Sequence, residues 1–225
     1  MTILFDMDGT LFAGDSQLRF ARRVLRRHGL RRLYLLVVLP GLLLRALGLL
    51  SRQAMKRLFL SYAWRMPAQQ LEAECRAFVQ EELLPAVFPT LLDELQRHRA
   101  AGHTTVLCSA SPEWWALPMG EALGFTHAIA TPVPVGERVP FFPAIPPPGN
   151  NRDRAKLVRL AALGIHEADM AYTDSAADLP MLSIAREAVL VNPSRSLEAR
   201  VPGARVIRCA RGGRLMFVLR CLLGV

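Results

Sequence analysis

Two pairs of aspartates, each directly behind a short apolar run, stand at opposite ends of this chain. Asp6 and Asp8 follow Ile3-Leu4-Phe5, and Asp174 and Asp178 follow Met170-Ala171-Tyr172-Thr173. Runs this short and apolar read as buried strands. If the two strands are neighbours, four carboxylates meet at their carboxyl ends and repel one another. A divalent cation with hard oxygen ligands relieves that repulsion. The pattern therefore implies an α/β sheet, a Mg²⁺ site and phosphoryl chemistry.

The rest of the chain supplies the other elements. From Asp15 to about Leu84 the pattern is helical. Leu18, Ala21, Val24, Leu25 and His28 share one face, and Arg19, Arg22, Arg23, Arg26 and Arg27 share the other. Ser51 caps a further helix that ends before Pro67, and another carries Leu71, Cys75, Phe78 and Val79. After Pro85, strands and helices alternate. Strands are expected at 104–108, 127–130, 170–173, 188–191 and 205–208, and helices at 89–101, 113–123, 153–163 and 178–186. The Pro-rich stretch 132–149 contains no helix, and its role is open. This is an α/β pattern: a Rossmann-like parallel sheet with helices on both faces, made of residues 1–14 and 86–225, with an inserted α-helical cap at 15–85. In such sheets ligands sit beyond the carboxyl ends of the strands, where Asp6, Ser109 and Asp174 all fall.

Composition narrows the class. With 52% apolar and 21% charged residues the 225-residue chain is neither disordered nor short of a core. Its four cysteines (Cys75, Cys108, Cys209, Cys221) show no CxxC and no metal-ligand spacing, which suits a reducing compartment. No leader is visible, since the first strand begins at Ile3 and cleavage would remove Asp6. A cytoplasmic location is the expectation. The net charge of +9 is carried by arginine, with Lys56 and Lys156 the only lysines. That makes Lys156 conspicuous as a compact point charge. Aromatics are only 7% and no binding motif is interleaved with the arginines, so nucleic acid is not expected as a partner.

Four segments in order carry a resemblance. Asp6-Met7-Asp8-Gly9-Thr10, Ser109 behind Val106-Leu107-Cys108, Lys156, and Asp174-Ser175-x-x-Asp178 resemble the four motifs of the haloacid dehalogenase-like hydrolases, within them the phosphoserine-phosphatase-like branch with a cap after the first motif. The resemblance implies a Mg²⁺-dependent phosphatase. Asp6 is then the nucleophile that forms an aspartyl-phosphate. Asp8 protonates the leaving oxygen and later deprotonates the hydrolytic water. Asp6 and Asp174 ligate Mg²⁺ through their side chains and Asp8 through its carbonyl, with Asp178 in the outer shell ordering a water. Ser109 and Lys156 bind the phosphate. Dehalogenase relatives lack the second aspartate, so Asp8 favours phosphate chemistry.

The cap suggests a location and a substrate. Residues 33–50 are almost continuously apolar, broken by Pro40-Gly41, Arg45 and Gly48, and seven arginines lie between Arg19 and Arg32. Pro-Gly and Arg45 argue against a simple span. An apolar dip flanked by a basic face is a membrane-surface signature, and the alternative is ordinary cap packing. Arg205, Arg208, Arg211 and Arg214 before Leu215-Met216-Phe217 repeat the theme. The order of basic helix, apolar segment and phosphatase motifs also resembles the bacterial phosphatidylglycerophosphatase C group. On that resemblance the substrate is a lipid phosphate at the cytoplasmic membrane face. A soluble metabolite such as phosphoserine is the alternative, although Asp15 stands where that branch usually has Glu, and Ala110-Ser111-Pro112 where it has Gly-Gly. A third reading is a catalytically idle membrane or interaction module. Oligomeric state is not legible.

Overall fold

The structure, a computed structural model, describes residues 1–210. Strands β1 (Thr2–Phe5), β2 (Thr104–Pro112), β3 (His127–Thr131), β4 (Ala168–Thr173), β5 (Ala185–Val191) and β6 (Arg205–Ile207) form one sheet. All pair in parallel, in the order β3-β2-β1-β4-β5-β6. The expected α/β class and Rossmann-like sheet are therefore present. β1 lies between β2 and β4, in register Phe5↔Leu107 and Phe5↔Tyr172. The segments after these three strands thus emerge side by side.

Strand side chains alternate between faces. Leu4, Val106, Cys108, Ala171 and Leu190 pack on one face with Leu160 of α7 (Arg154–Ala162), Met181 and Leu182 of α8 (Leu179–Leu182) and Leu197 of α9 (Arg195–Arg200). Ile3, Phe5, Leu107, Tyr172 and Val189 pack on the other with α5 (Pro89–Ala100) and α6 (Glu113–Leu123). The second core continues into the insertion after β1. That insertion contains α1 (Ser16–Arg27), α2 (Leu35–Ala46), α3 (Arg52–Phe59) and α4 (Ala68–Phe78). Phe20 of α1 and Phe78 of α4 both meet Trp115 of α6, with ring centroids 4.9 and 6.2 Å apart. Cap and sheet domain therefore share one apolar core on this side.

Several local expectations shift. β2 runs on through Ser109 to Pro112, because its far end still pairs with Thr131 of β3. The helix expected at 178–186 stops at Leu182, and β5 begins at Ala185, where it pairs with Ala168 at the start of β4. On α1 the buried face is Phe20, Ala21 and Val24, while Leu18 is exposed. Arg23, expected on the polar face, is buried and bridges Glu74, Glu81 and Glu82. A buried guanidinium needs such partners. Asp15 caps α1 by accepting from the Leu18 amide at 3.0 Å, and Ser51 caps α3 by accepting from that of Ala54. The Pro-rich stretch acquires a role as the rail on which the cap docks. Arg65 donates its amide to the Val139 carbonyl, Val139 its own to Met66, and Arg57 its side chain to the Pro143 carbonyl.

Among the described residues no helix is long and apolar enough to cross a membrane. Pro40 and Gly41 lie inside α2, whose Gly41 packs against Leu58 of α3. The apolar tail from Leu215 lies outside the described residues.

Candidate active site

The ends of β1, β2 and β4 bring all the expected residues to one edge of the sheet. Asp6 directly follows β1, Ser109 lies in the second half of β2, and Asp174 directly follows β4. Lys156 comes from the first turn of α7, and Asp178 lies just before α8. The Lys156 ammonium is fully buried, 2.7 Å from Asp6 Oδ1 and 2.6 Å from Asp178 Oδ1. Burial alone would lower its pKa, but Asp6 and then Asp178 outweigh burial and hold it above the usual lysine range. For Asp6, burial drives the carboxyl upward, opposed by Lys156 and assisted by Asp178.

Asp8 sits in a different environment. Its Oδ1 accepts from the Ser16 amide and its Oδ2 from the Ser111 hydroxyl, both at 2.6 Å. The Ser16 and Ser111 hydroxyls are themselves 2.9 Å apart, and Trp115 Nε1 donates to Ser16 Oγ. Burial pushes the Asp8 carboxyl up to about 7, and the charge of Asp15 adds to the rise, while the bonds from Ser111 and Ser16 pull the other way. A carboxyl that keeps its proton near neutrality can give it to a leaving oxygen.

Smaller groups fix the frame. Thr10 donates its hydroxyl to Asp6 Oδ2 at 3.2 Å and accepts from the Asp174 amide at 3.0 Å, so one side chain ties the first and fourth motifs. Thr173 donates to Asp178 Oδ2 at 2.7 Å. Asn151 donates to the Ser109 carbonyl at 2.8 Å, and Ser109 Oγ accepts from the Ser111 amide, leaving its own proton free for a phosphate oxygen. Lys56, the other lysine, reaches from cap helix α3 to the Ala110 carbonyl, Asn150 Oδ1 and Thr131 Oγ1. Burial lowers its pKa to about 7, with Asp8 and Asp15 opposing. Ser16, Ser111, Thr10, Thr173, Asn151 and Lys56 were not singled out as site residues from sequence. Only Lys56 and Thr10 carried a signal, the first as a rare lysine and the second inside the Asp6–Thr10 motif.

The carboxylates fit a hard cation. Asp8 is taken up by two serines and Asp178 by Lys156 and Thr173, which makes Asp178 the residue that positions Lys156. Asp6, which meets Lys156 and Thr10, and Asp174 directly follow the neighbouring strands β1 and β4 and are the two carboxylates that the first and fourth motifs offer a cation. The Asp174 carboxylate lies against the backbone of Gly9, where a Cβ would come within 2.2 Å of Asp174 Oδ2 and where φ is +85°. Among the described residues no group of three acidic, His or Cys side chains gathers as a metal cluster. A site of two carboxylates completed by a main-chain carbonyl and waters is ordinary for Mg²⁺. Gly9→Ala should therefore displace Asp174 and weaken Mg²⁺ binding by about tenfold or more, in calorimetric titration, with the fold retained.

Comparison with known proteins agrees with this geometry. Residues 3–183 match the sequence model of the haloacid dehalogenase-like hydrolases. A protein of Mycobacterium tuberculosis named a probable phosphatase is 32% identical over 219 residues, covering 92% of this chain and 75% of its own. A histidinol-phosphatase of Neisseria meningitidis is 27% identical, covering 67% and 71%. Among solved structures, a Bordetella pertussis protein of unknown function superposes with a TM-score of 0.76 at 24% identity, covering 92% and 97%. A phospho-aspartyl intermediate analogue of phosphoserine phosphatase superposes with 0.61 at 18%, covering 97% of each chain.

Proposed function

The chain belongs to the haloacid dehalogenase-like hydrolase family, and we propose that it is a Mg²⁺-dependent phosphomonoesterase whose nucleophile is Asp6. The observation that carries this reading is the contrast between the two aspartates of the first motif. Asp6 is paired with a buried ammonium, while Asp8, two residues on, is held by hydroxyl and amide donors. This contrast supports attack by Asp6 and proton transfer by Asp8.

An Asp6 oxygen attacks phosphorus, the phosphorus–oxygen ester bond breaks, and the leaving oxygen takes the proton of Asp8. The Asp8 carboxylate then takes a proton from water as that water attacks the aspartyl-phosphate, which releases inorganic phosphate and restores Asp6. Lys156 and Ser109 stabilise charge on the phosphoryl oxygens. Mg²⁺, held by Asp6, Asp174 and the Asp8 carbonyl, would neutralise the anionic substrate against the anionic nucleophile. Cap helix α1, through Ser16, and α3, through Lys56, close the leaving-group side. Ser111→Ala removes a bond that favours the ionised form of Asp8, so its pKa should rise. The basic limb of the kcat/KM profile should move to higher pH by about half a unit or more.

For the substrate we favour a small polar phosphomonoester. Serines hold Asp8, Lys56 reaches the neighbouring Ala110 carbonyl, a relative is named a histidinol-phosphatase and a structurally similar protein a phosphoserine phosphatase. This reverses the order expected from the composition of the cap. A lipid phosphate is the second reading, favoured by the exposed leucines of α2. Phosphate release from phosphoserine, histidinol phosphate and other soluble esters, beside phosphatidylglycerophosphate in micelles, decides between them. A preference of about tenfold or more for the micellar substrate would overturn the first reading.

A further inference from the structure

Helix α2 buries Val38 and packs Gly41 against Leu58 of α3, and leaves most of its remaining surface to solvent. Leu36 is 70% exposed, Leu39 58%, Leu43 61% and Leu47, just past its end, 63%. These four follow one another at helical spacing along one face. Beside them an open groove of about 610 Å³ is lined by Leu30, Leu33, Val37, Trp64 and Phe141 among others. A continuous apolar surface of this kind marks something that covers it.

Charge decides what covers it. Residues 16–71 contain twelve lysines and arginines and not one aspartate or glutamate; Arg23 and Arg27 pair with glutamates beyond this segment and Lys56 is buried at the site, and the segment stays strongly positive. Arg26, Arg52 and Arg65 of this segment are exposed, and Arg57 lies over the ring of Phe142 at 3.9 Å. A second copy would bring two such segments together with no carboxylate within them to neutralise either, which like-charge repulsion opposes. An anionic lipid surface meets both demands at once, taking leucines among its acyl chains and arginines at its headgroups. At 12 residues α2 is about 18 Å long, too short for a hydrocarbon core of about 30 Å. It fits the plane of the interface, with Trp64 at the edge where amphipathic rings settle.

We propose that residues 29–49 of the cap, with Trp64 and Phe141, dock this enzyme peripherally on an anionic bilayer. The inference stands apart from the catalytic reading, because a soluble or a lipid substrate is compatible with a docked enzyme.

The test is flotation of the full chain with vesicles of phosphatidylcholine containing one-third phosphatidylglycerol, against vesicles of phosphatidylcholine alone. The expected result is binding to the anionic vesicles that weakens about tenfold or more without phosphatidylglycerol or in high salt. Leu36→Ser/Leu43→Ser should lower it about tenfold or more, with turnover of p-nitrophenyl phosphate unchanged as proof of folding. Wild-type binding by the double variant would overturn the proposal, since docking would then lie elsewhere in the chain. So would failure of the wild type to float with either vesicle, or a dimer in light scattering that the double variant abolishes.

Discussion

Asp6→Asn should lower turnover of any phosphomonoester by about four orders of magnitude or more and leave the protein folded. Asparagine keeps the shape of the side chain, with its one oxygen turned to Lys156 and its amide NH2 donating to the Thr10 hydroxyl, which accepts where it had donated. The amide oxygen is a poor nucleophile toward phosphorus, and the variant cannot form the acyl phosphate. Stability should change little, because the substitution removes one of several crowded carboxylates while Asp178 still pairs Lys156. Two measurements check this. Steady-state turnover gives the loss, and acid-quenched wild type incubated with radiolabelled substrate should retain hydroxylamine-labile phosphate that the variant lacks. Turnover within tenfold of wild type would remove Asp6 as nucleophile. Loss of turnover with the labile phosphate still present would place the covalent step on another residue. If no substrate is turned over in an Asp6-dependent way, the reading of an idle interaction module gains.

The sheet and the site were legible because they rest on the most regular physics in the chain. Ile3-Leu4-Phe5 and Met170-Ala171-Tyr172 are apolar runs, and a chain that turns polar directly behind such runs places its polar groups at the strand ends. The motif aspartates, Ser109 and Lys156 therefore converge as their order implies. The groups that orient them were not legible, for a reason of scale. Ser16 and Ser111 are 95 positions apart, and each alone is an ordinary serine; only the packing of α1 on the end of β2 makes them joint holders of Asp8. The same holds for Arg23. Its place on the α1 wheel reads as solvent-facing, and only the tertiary arrival of Glu74, Glu81 and Glu82 turns it inward. The end of α8 was misplaced because helical periodicity cannot see that Ala185 already pairs with β4. In the cap the composition foretold an apolar, basic surface, but exposure was decided by which face of α2 met α3.

Lys156→Met should damage stability and catalysis together, and the two losses should separate on a second substitution. The ammonium is buried between Asp6 and Asp178, and methionine fills the slot without the charge. Two buried carboxylates then face each other with no cation between them. Breaking a buried pair in this way costs roughly 3–5 kcal/mol, or about 10 °C in Tm for a domain of this size. The deficit should depend on pH with a definite sign. Without Lys156 the folded-state pKa values of both carboxyls rise above their unfolded values. Protonation in the folded state is then favourable, so the stability of the variant is best in acid and is lost as pH rises through those folded values. Thermal unfolding should therefore show a smaller gap to wild type at pH 5 than at pH 8. Adding Asp178→Asn removes one of the two stranded charges, and Thr173 can still donate to the amide oxygen. The double variant should regain several degrees of Tm at pH 8, a coupling of 1 kcal/mol or so between neighbours. It should not regain turnover, because the ammonium that stabilises charge on the phosphoryl oxygens is still missing and the cation held by Asp6 and Asp174 does not take its place. Recovery of activity along with Tm would mean that Lys156 serves only to hold the carboxylates in place. A double variant no more stable than Lys156→Met alone would mean that the Lys156–Asp178 contact is not what the buried ammonium holds in balance.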